Sequence, residues 1–455
     1  MTSPEDQETL AAGRLSGDFR VGLPARDAAV SLLDAVLGQG QSLDAVFAAQ
    51  IRHGALSSLV ERDRALARAI TATTLRRLGQ LDDLLGKLID RPLPKAAGRL
   101  KNILRAALAQ ILFMETPAHA VVNLAVHQAK SDRRTRRFDK LVNALLRRAG
   151  REGKKRISAQ DADCLNTPAW IWARWTENFG EETARAIAQS HLREAALDLS
   201  TKNNAQDWAK RLGAALLPTG SLRLAHKGRI EKLEGFDEGA WWVQDAAAAL
   251  PAILLGDVAG KRVADLCAAP GGKTAQLACS GARVTALDIS EGRLKRLKQN
   301  LERLDLEATC IPGDATNWRP EEPLDAVLLD APCLATGTIR RHPDIPHLKS
   351  SEDLANLANL QSRLLAHAVT LVKPGGTIIY CTCSLEPEEC ESQISALLAA
   401  EPAVRNAPIR ADELAGQSDW LTNEGYLRTM PFHLAGLDRG LDGIDGFFTA
   451  RLVVG

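Results

Sequence analysis

From Arg262 to about residue 400, short apolar runs alternate with helical stretches, and no other feature constrains the fold as strongly. "RVADL" leads through a glycine-rich turn into a helix. "ARVTALD" leads into the helical "SEGRLKRLKQNLERL". Then come "ATCIP", "LDAVLLD", the amphipathic "LANLQSRLLAHAVTLV", "GGTIIYCTC" and the helical "PEECESQISALLA". The strand-like runs are nearly continuous in apolar residues, as strands covered on both faces are. A doubly wound, Rossmann-like parallel sheet is therefore expected. Ligands of such sheets bind beyond the carboxyl ends of the strands. Asp265, Asp288, Asp314, Asp330 and Cys383 fall there, so one crevice is expected to hold them, with Cys333 shortly after Asp330.

A chain of 455 residues is too long for one ordinary domain. Residues 25–150 read as an all-α bundle. "LKNILRAALAQILFM" places Leu100, Ile103, Leu104, Leu108, Ile111 and Leu112 on one helical stripe. Pro117 is expected to end that helix and another to begin near Ala120. "FDKLVNALLRRAG" is expected to stop at Gly150. Residues 1–24 read as a flexible N-terminus, polar and acidic, unlike a secretory signal. Residues 151–165 read as a basic linker, 166–245 as a small α+β module and 246–455 as the α/β domain. Trp170, Trp172, Trp175, Trp208, Trp241 and Trp242 in or near the middle module are expected mainly in cores, with base stacking open to one or two.

Net charge is +1, but it is unevenly spread. Arg133–Arg156 carries 11 Lys or Arg against two acids, either a solvated face or a footprint for phosphate backbones. The eight cysteines show no regular disulfide spacing, which suits a reduced, cytosolic setting. No apolar run approaches the roughly 20 residues a membrane span needs.

"DLCAAPGGKT" (Asp265–Thr274) is not a triphosphate-binding P-loop. The required first glycine is Cys267, and Pro270 removes a backbone N–H. No G-x-G-x-x-G is present either. What remains is a small-residue loop opening a helix whose N-terminus favours a carboxylate. Asp288 is placed for ribose hydroxyls and Asp314 for an adenine amino group. A carboxylate-bearing adenosyl ligand without pyrophosphate is S-adenosylmethionine. Cys164, Cys279, Cys310 and Cys390 are expected as small apolar fillers. Cys381, Cys383 and Cys390 lack zinc spacing, so no metal is expected. Nucleophilic catalysis remains for the other thiols. A thiolate added to carbon 6 of cytosine turns the ring into an enamine whose carbon 5 takes a methyl group. A carboxylic acid such as Asp330 favours the attack from N3, and a second sulfur helps the adduct eliminate.

"DLCAAPGGKT", "DAPC", "TGTIRRHPDI" and "TCSLEPEE" resemble the motifs of RNA cytosine-C5 methyltransferases. They are most similar to the bacterial 16S ribosomal RNA enzymes of the Fmu/Sun type, whose N-terminal domain resembles the antitermination factor NusB. "ERDRALARAI", "RPLP", "TPAHAVVNLAV" and "FDKLVNALLRR" resemble that domain. "WWVQDAAAAL" and "DGFFTARL" resemble the entry to the catalytic domain and its closing strand. The resemblance implies Cys383 as nucleophile, Cys333 as the thiol that assists release, and Asp330 beside them. DNA cytosine-C5 methyltransferases use the Pro-Cys cysteine instead, so carrying both points to RNA. It implies S-adenosylmethionine bound by Cys267, Ala268, Ala269, Pro270, Gly271, Gly272, Lys273, Asp288, Asp314 and Asp330. It also implies 16S rRNA or its precursor as partner, a monomer, and RNA contacts by Arg133, Arg134, Arg136, Arg137, Arg147, Arg148, Arg340 and Arg341. Leu334-Ala335 replaces the family's usual Ser-Gly, and Cys381 stands where Ala or Ser is usual. A tRNA methyltransferase of the same superfamily and a non-catalytic RNA-binding factor are the alternatives.

Overall fold

The computed structural model describes residues 22–89, 93, 97, 99–225, 228–437 and 440–455. The N-terminal segment up to residue 21 and three of the four residues of "RPLP" lie outside these. The described chain divides into two compact units. One holds the residues up to Leu192 with His342–Leu348, the other Arg193–Arg341 with Lys349–Gly455.

The first unit is helical: α1 Leu23–Gln39, α2 Leu43–His53, α3 Glu61–Arg76, α4 Leu78–Leu88, α5 Leu100–Phe113, α6 Ala118–Ser131, α7 Asp139–Ser158, α8 Ala162–Asn166, α9 Ala169–Phe179 and α10 Glu181–His191. The α5 stripe is buried as its period dictates: Leu100, Ile103, Leu104, Leu108 and Ile111 face the core, and Leu112 packs at its margin. Truncating any of the fully buried leucines to Ala is expected to cost about 2–5 kcal/mol. α5 ends at Phe113, before Pro117, which instead caps α6. Neither Gly150 nor the expected linker stops α7. Glu152 pairs with Arg148 and Arg156 one turn either side, at 3.4 and 2.8 Å, and Gly153 is buried against Leu112. The helix therefore runs through to Ser158. Residues 169–191 also join this unit rather than a middle module. The turn before them is tied to α4, with Gln80 N donating to Asn166 Oδ1 at 3.1 Å and Asn166 Nδ2 to Gln80 Oε1 at 3.0 Å. His342–Leu348 belongs here because Asp344 Oδ2 accepts from Leu43 N at the start of α2, at 2.9 Å.

The second unit begins with an antiparallel sheet, order β2-β3-β1-β4, from β1 Leu197–Thr201, β2 Ala215–Leu216, β3 Leu222–Leu224 and β4 Trp241–Val243, with helix α11 Ala205–Leu212. Trp208, Trp241 and Trp242 are buried core residues, as is Trp175 in the helical unit. Then follow α12 Ala246–Ile253, β5 Arg262–Leu266, α13 Gly272–Cys279, β6 Arg283–Asp288, α14 Glu291–Arg303, β7 Thr309–Pro312, β8 Leu324–Asp330, α15 Ser351–Val369, β9 Val372–Thr382, α16 Glu391–Ala400, β10 Val404–Asn406, β11 Leu427–Thr429 and β12 Phe447–Val454. Their sheet runs β10-β12-β9-β8-β5-β6-β7, and β11 pairs with β12. β9 through β7 are parallel, as the apolar runs require. The far edge is not: β12 runs antiparallel to β9, β10 and β11. Only short turns and strands lie between α16 and β12 among the described residues, and parallel pairing needs a long crossover.

Candidate active site

The chain lays β5, β6 and β7 outward in one direction, then returns to place β8 and β9 on the other side of β5. This reversal opens a crevice past the carboxyl ends of β5 and β8. Two loops meet there, Cys267–Gly271 after β5 and Ala331–Ala335 after β8. Parallel register sets Asp330 opposite Cys381, which brings Cys383 beside the Pro-Cys turn.

The β5 loop is held from β6. Ala268 N donates to Leu287 O at 2.9 Å, and Ala269 N to Asp288 Oδ2 at 3.1 Å. Asp288 Oδ1 accepts from Ser290 N at 2.9 Å, so this nearly buried acid shapes the loop as well as ending its strand. Gly271 has φ 103° and lies against Leu297, whose Cγ would be 2.7 Å from any added Cβ. No larger residue fits that turn. Asp265 is fully buried. Its Oδ2 accepts from Thr274 Oγ1 at 2.6 Å, while Oδ1 has no partner among the described residues. Burial, with Asp330 and Asp288 nearby, pushes its carboxyl up to about 7. Asp314 is exposed past β7 with Oδ1 holding Thr316. A narrow small-residue loop, an acid with an unused buried oxygen and two acids on successive strand ends fit the amino acid and nucleoside parts of S-adenosylmethionine.

The thiols lie together: Cys333 Sγ and Cys383 Sγ are 3.5 Å apart. Hydrogen bonding to Cys383 and burial push the Cys333 thiol well above its usual value. Gly337 N donates to Cys383 O, and Gly446 N to Gly337 O, both at 2.9 Å. A Cβ on Gly337 would lie 2.0 Å from Gly446 O, so this crossing admits only glycine. Ala335 holds φ 60°, a left-handed conformation that explains glycine in the usual Ser-Gly. Asp330 is the carboxylate half of an ion pair, its Oδ2 2.8 Å from Lys273 Nζ. Burial alone would lower the Lys273 ammonium, but Asp330 holds it above its usual value. Lys273 therefore stays protonated beside Asp330, the residue read from sequence as the acid at N3. Cys381 is fully buried with its thiol 3.7 Å from Asp330 Oδ1. Among the cysteines read as fillers, Cys390 is buried and Cys279 and Cys310 half-buried, but Cys164 is exposed.

Arg340 and Arg341 are not placed for RNA. Arg340 is buried between Asp245 and Asp445, at 3.0 and 2.7 Å. Arg341 contacts both acids and Asp198, and Arg341 Nη1 donates to Ala196 O at 2.9 Å. Asp198 is also clasped by Arg223 directly across the small sheet, both fully buried. Burial would raise the Asp245 carboxyl, yet Arg341 and Arg340 hold it well below the carboxylate range. The arginines of the helical unit differ. Arg133, Arg134, Arg136, Arg137 and Arg147 are exposed, and Arg148 is half-buried on Glu152. Lys140, Arg147, Arg151 and Lys154 share one exposed face of α7, about 21 Å long at the helical rise. The sequence pattern leaves four contributors without a role: Gln361, Glu389, and the acids Asp245 and Asp445 around Arg340. The only sequence signal was the last glutamate of "TCSLEPEE", Glu389.

A doubly wound sheet with an adenosyl-type loop after its first strand and a thiol pair across the switch point defines a methyltransferase fold and site. Residues 23–151 match the NusB family model, and 252–453 match the model described as 16S rRNA methyltransferase RsmB/F. Ribosomal RNA small subunit methyltransferase B of Vibrio vulnificus is 36% identical over 84% of this chain and 92% of its own length. The protein of the same name from Salmonella typhi is 33% identical over 94% and 98%. The chain belongs to the RsmB/F family of 16S rRNA methyltransferases. Among solved structures, that of PH0851 shares the fold with a TM-score of 0.73 at 24% identity, covering 95% of this chain and 98% of that one. A methyltransferase homolog protein from Pyrococcus horikoshii gives 0.50 at 28% identity over 62% and 94%.

Proposed function

We propose that this chain methylates carbon 5 of a cytosine in 16S ribosomal RNA, or its precursor, through a covalent bond between Cys383 and carbon 6 of the base. The observation that carries the reading is the 3.5 Å approach of Cys333 and Cys383 beside the Lys273–Asp330 pair. S-adenosylmethionine, when bound, supplies an electrophilic methyl group. Cys333, raised by its hydrogen bond to Cys383 and by burial, keeps its proton, and Cys383 gives its own to solvent as its sulfur attacks. Cys383 adds to carbon 6, and the electron pair of the 5,6 double bond becomes available at carbon 5. The Lys273 ammonium stabilises charge developing on the ring at N3, and Asp330 holds that ammonium in place. Once Cys383 is a thioether, its hydrogen bond to Cys333 is gone. Cys333 then gives its proton to solvent and, as a thiolate, takes the proton of carbon 5; the electron pair of that C–H bond re-forms the 5,6 double bond as the carbon–sulfur bond breaks. Cys383 returns as thiolate. The exposed arginines at Arg133–Arg137 and the basic face of α7 hold RNA phosphates.

Bisulfite sequencing of 16S rRNA incubated with cofactor and enzyme tests this. Wild type should protect a defined cytosine. Cys383→Ala should protect none while binding S-adenosylmethionine in calorimetry as wild type does. Protection by the variant at a comparable rate would remove Cys383 as nucleophile.

A further inference from the structure

The turn that carries Cys333 is gripped on both sides by side chains from outside it. Pro332 O accepts from Gln361 Nε2 at 2.8 Å. Leu334 N donates to both oxygens of Glu389, at 3.0 and 3.1 Å. The two gripping residues are joined, since Gln361 Nε2 also donates to Glu389 Oε1 at 3.0 Å. Tyr380 Oη braces them from β9, donating to Glu389 O at 2.7 Å and Gln361 Oε1 at 3.3 Å. Leu334, Gln361, Tyr380 and Glu389 are each fully buried.

Glu389 has no ion-pair partner among the described residues. A carboxylate buried without a counter-ion is unfavourable, and packing alone is served better by an apolar side chain of that size. Burial also pushes its carboxyl up to about 7. The return for this cost lies in the turn. Two oxygens on one N–H fix Leu334, Gln361 fixes Pro332, and the backbone that carries Cys333 is held between them.

We propose that Glu389, acting with Gln361, is a positioning residue that holds the Cys333 thiol at its working distance from Cys383, and so serves the release step rather than the attack. This rests on the two-thiol reading above. Neither residue touches the reacting atoms; each acts through the backbone on one side of Cys333.

The test compares Cys333→Ala, Glu389→Ala, Glu389→Gln and Gln361→Leu with wild type. Each is incubated with 16S rRNA and S-adenosylmethionine, and denaturing gels are read for protein linked to RNA. Thermal melting and cofactor calorimetry establish that each variant is folded. Glu389→Ala and Gln361→Leu should accumulate the linked species as Cys333→Ala does, with multiple turnover lowered about tenfold or more and a normal single-turnover methylation rate. Glu389→Gln keeps an acceptor for Leu334 N and should recover most of the turnover. If Glu389→Ala does not fold, Gln361→Leu carries the same comparison from the other side of the turn. If Cys333→Ala accumulates the species and neither Glu389→Ala nor Gln361→Leu does, the positioning role is refuted and the two-thiol reading stands. The same holds if adduct formation and turnover fall together in those variants, which is what simple loss of packing produces. If Cys333→Ala itself accumulates nothing, the two-thiol reading fails and the positioning role with it.

Discussion

Replacing Asp265 by Asn should flatten the pH dependence of stability in the catalytic unit. Burial raises this carboxyl from 3.8 to about 7. A group whose folded pKa lies above its unfolded value favours the folded state fully below the unfolded pKa, and that contribution is lost as pH rises through the folded value. The window is therefore about pH 4 to 7. At 1.36 kcal/mol per unit, the roughly three-unit shift amounts to about 4 kcal/mol across it. About 3 kcal/mol of that falls between pH 5 and 8. Asn keeps an acceptor for Thr274 Oγ1 and carries no charge. Urea unfolding followed by tryptophan fluorescence at half-unit steps from pH 5 to 8 gives both curves. The variant should gain on wild type by about 3 kcal/mol as pH rises, and the difference should level off above 7. Glu389 is raised in the same direction but is present in both proteins, so it cancels from the difference. Parallel curves would show that Asp265 is not charged at the cost its burial implies, and the argument from burial would be wrong.

Asp314→Ala should weaken S-adenosylmethionine binding by about ten- to a hundredfold in calorimetry, the worth of a charge-assisted hydrogen bond. Asp288→Ala should weaken it more, because the Ala269 and Ser290 N–H groups lose their acceptor as well. Ala335→Gly should stabilise the catalytic unit by about 1 kcal/mol in urea titration, by relieving a left-handed alanine. Replacing Arg133, Arg134, Arg136 and Arg137 together by Gln should lower RNA affinity about equally across sequences and flatten the slope of log affinity against log salt.

The sequence by itself determined the elements that repeat a local pattern. The α5 stripe, the apolar strands from β5 to β9 and the small-residue turn before α13 depend on neighbours within a few residues. The gathering of Asp288, Asp330 and Cys383 at one edge was legible in the same way, because each strand end delivers its own side chain there and only the strand boundaries were needed. Partners distant in the chain were decided by the tertiary structure alone. Arg340 reads as an RNA contact in "TGTIRRHPDI" until Asp245 and Asp445, 95 and 105 residues away, close on it. Lys273 reads as part of a cofactor loop until the sheet brings it to Asp330, 57 residues on. Gly150 reads as a helix stop until Glu152 and its arginines, with Leu112 against Gly153, make continuation more stable. Glu389 reads as one more polar residue in the first turn of a helix. Only the packing of α15 and the β8 turn around it shows a buried carboxylate holding Leu334. A local pattern fixes which way a side chain faces. What neutralises a buried charge is fixed by which distant groups the fold brings within about 3 Å of it, because that short range is where hydrogen bonds and ion pairs offset the loss of water.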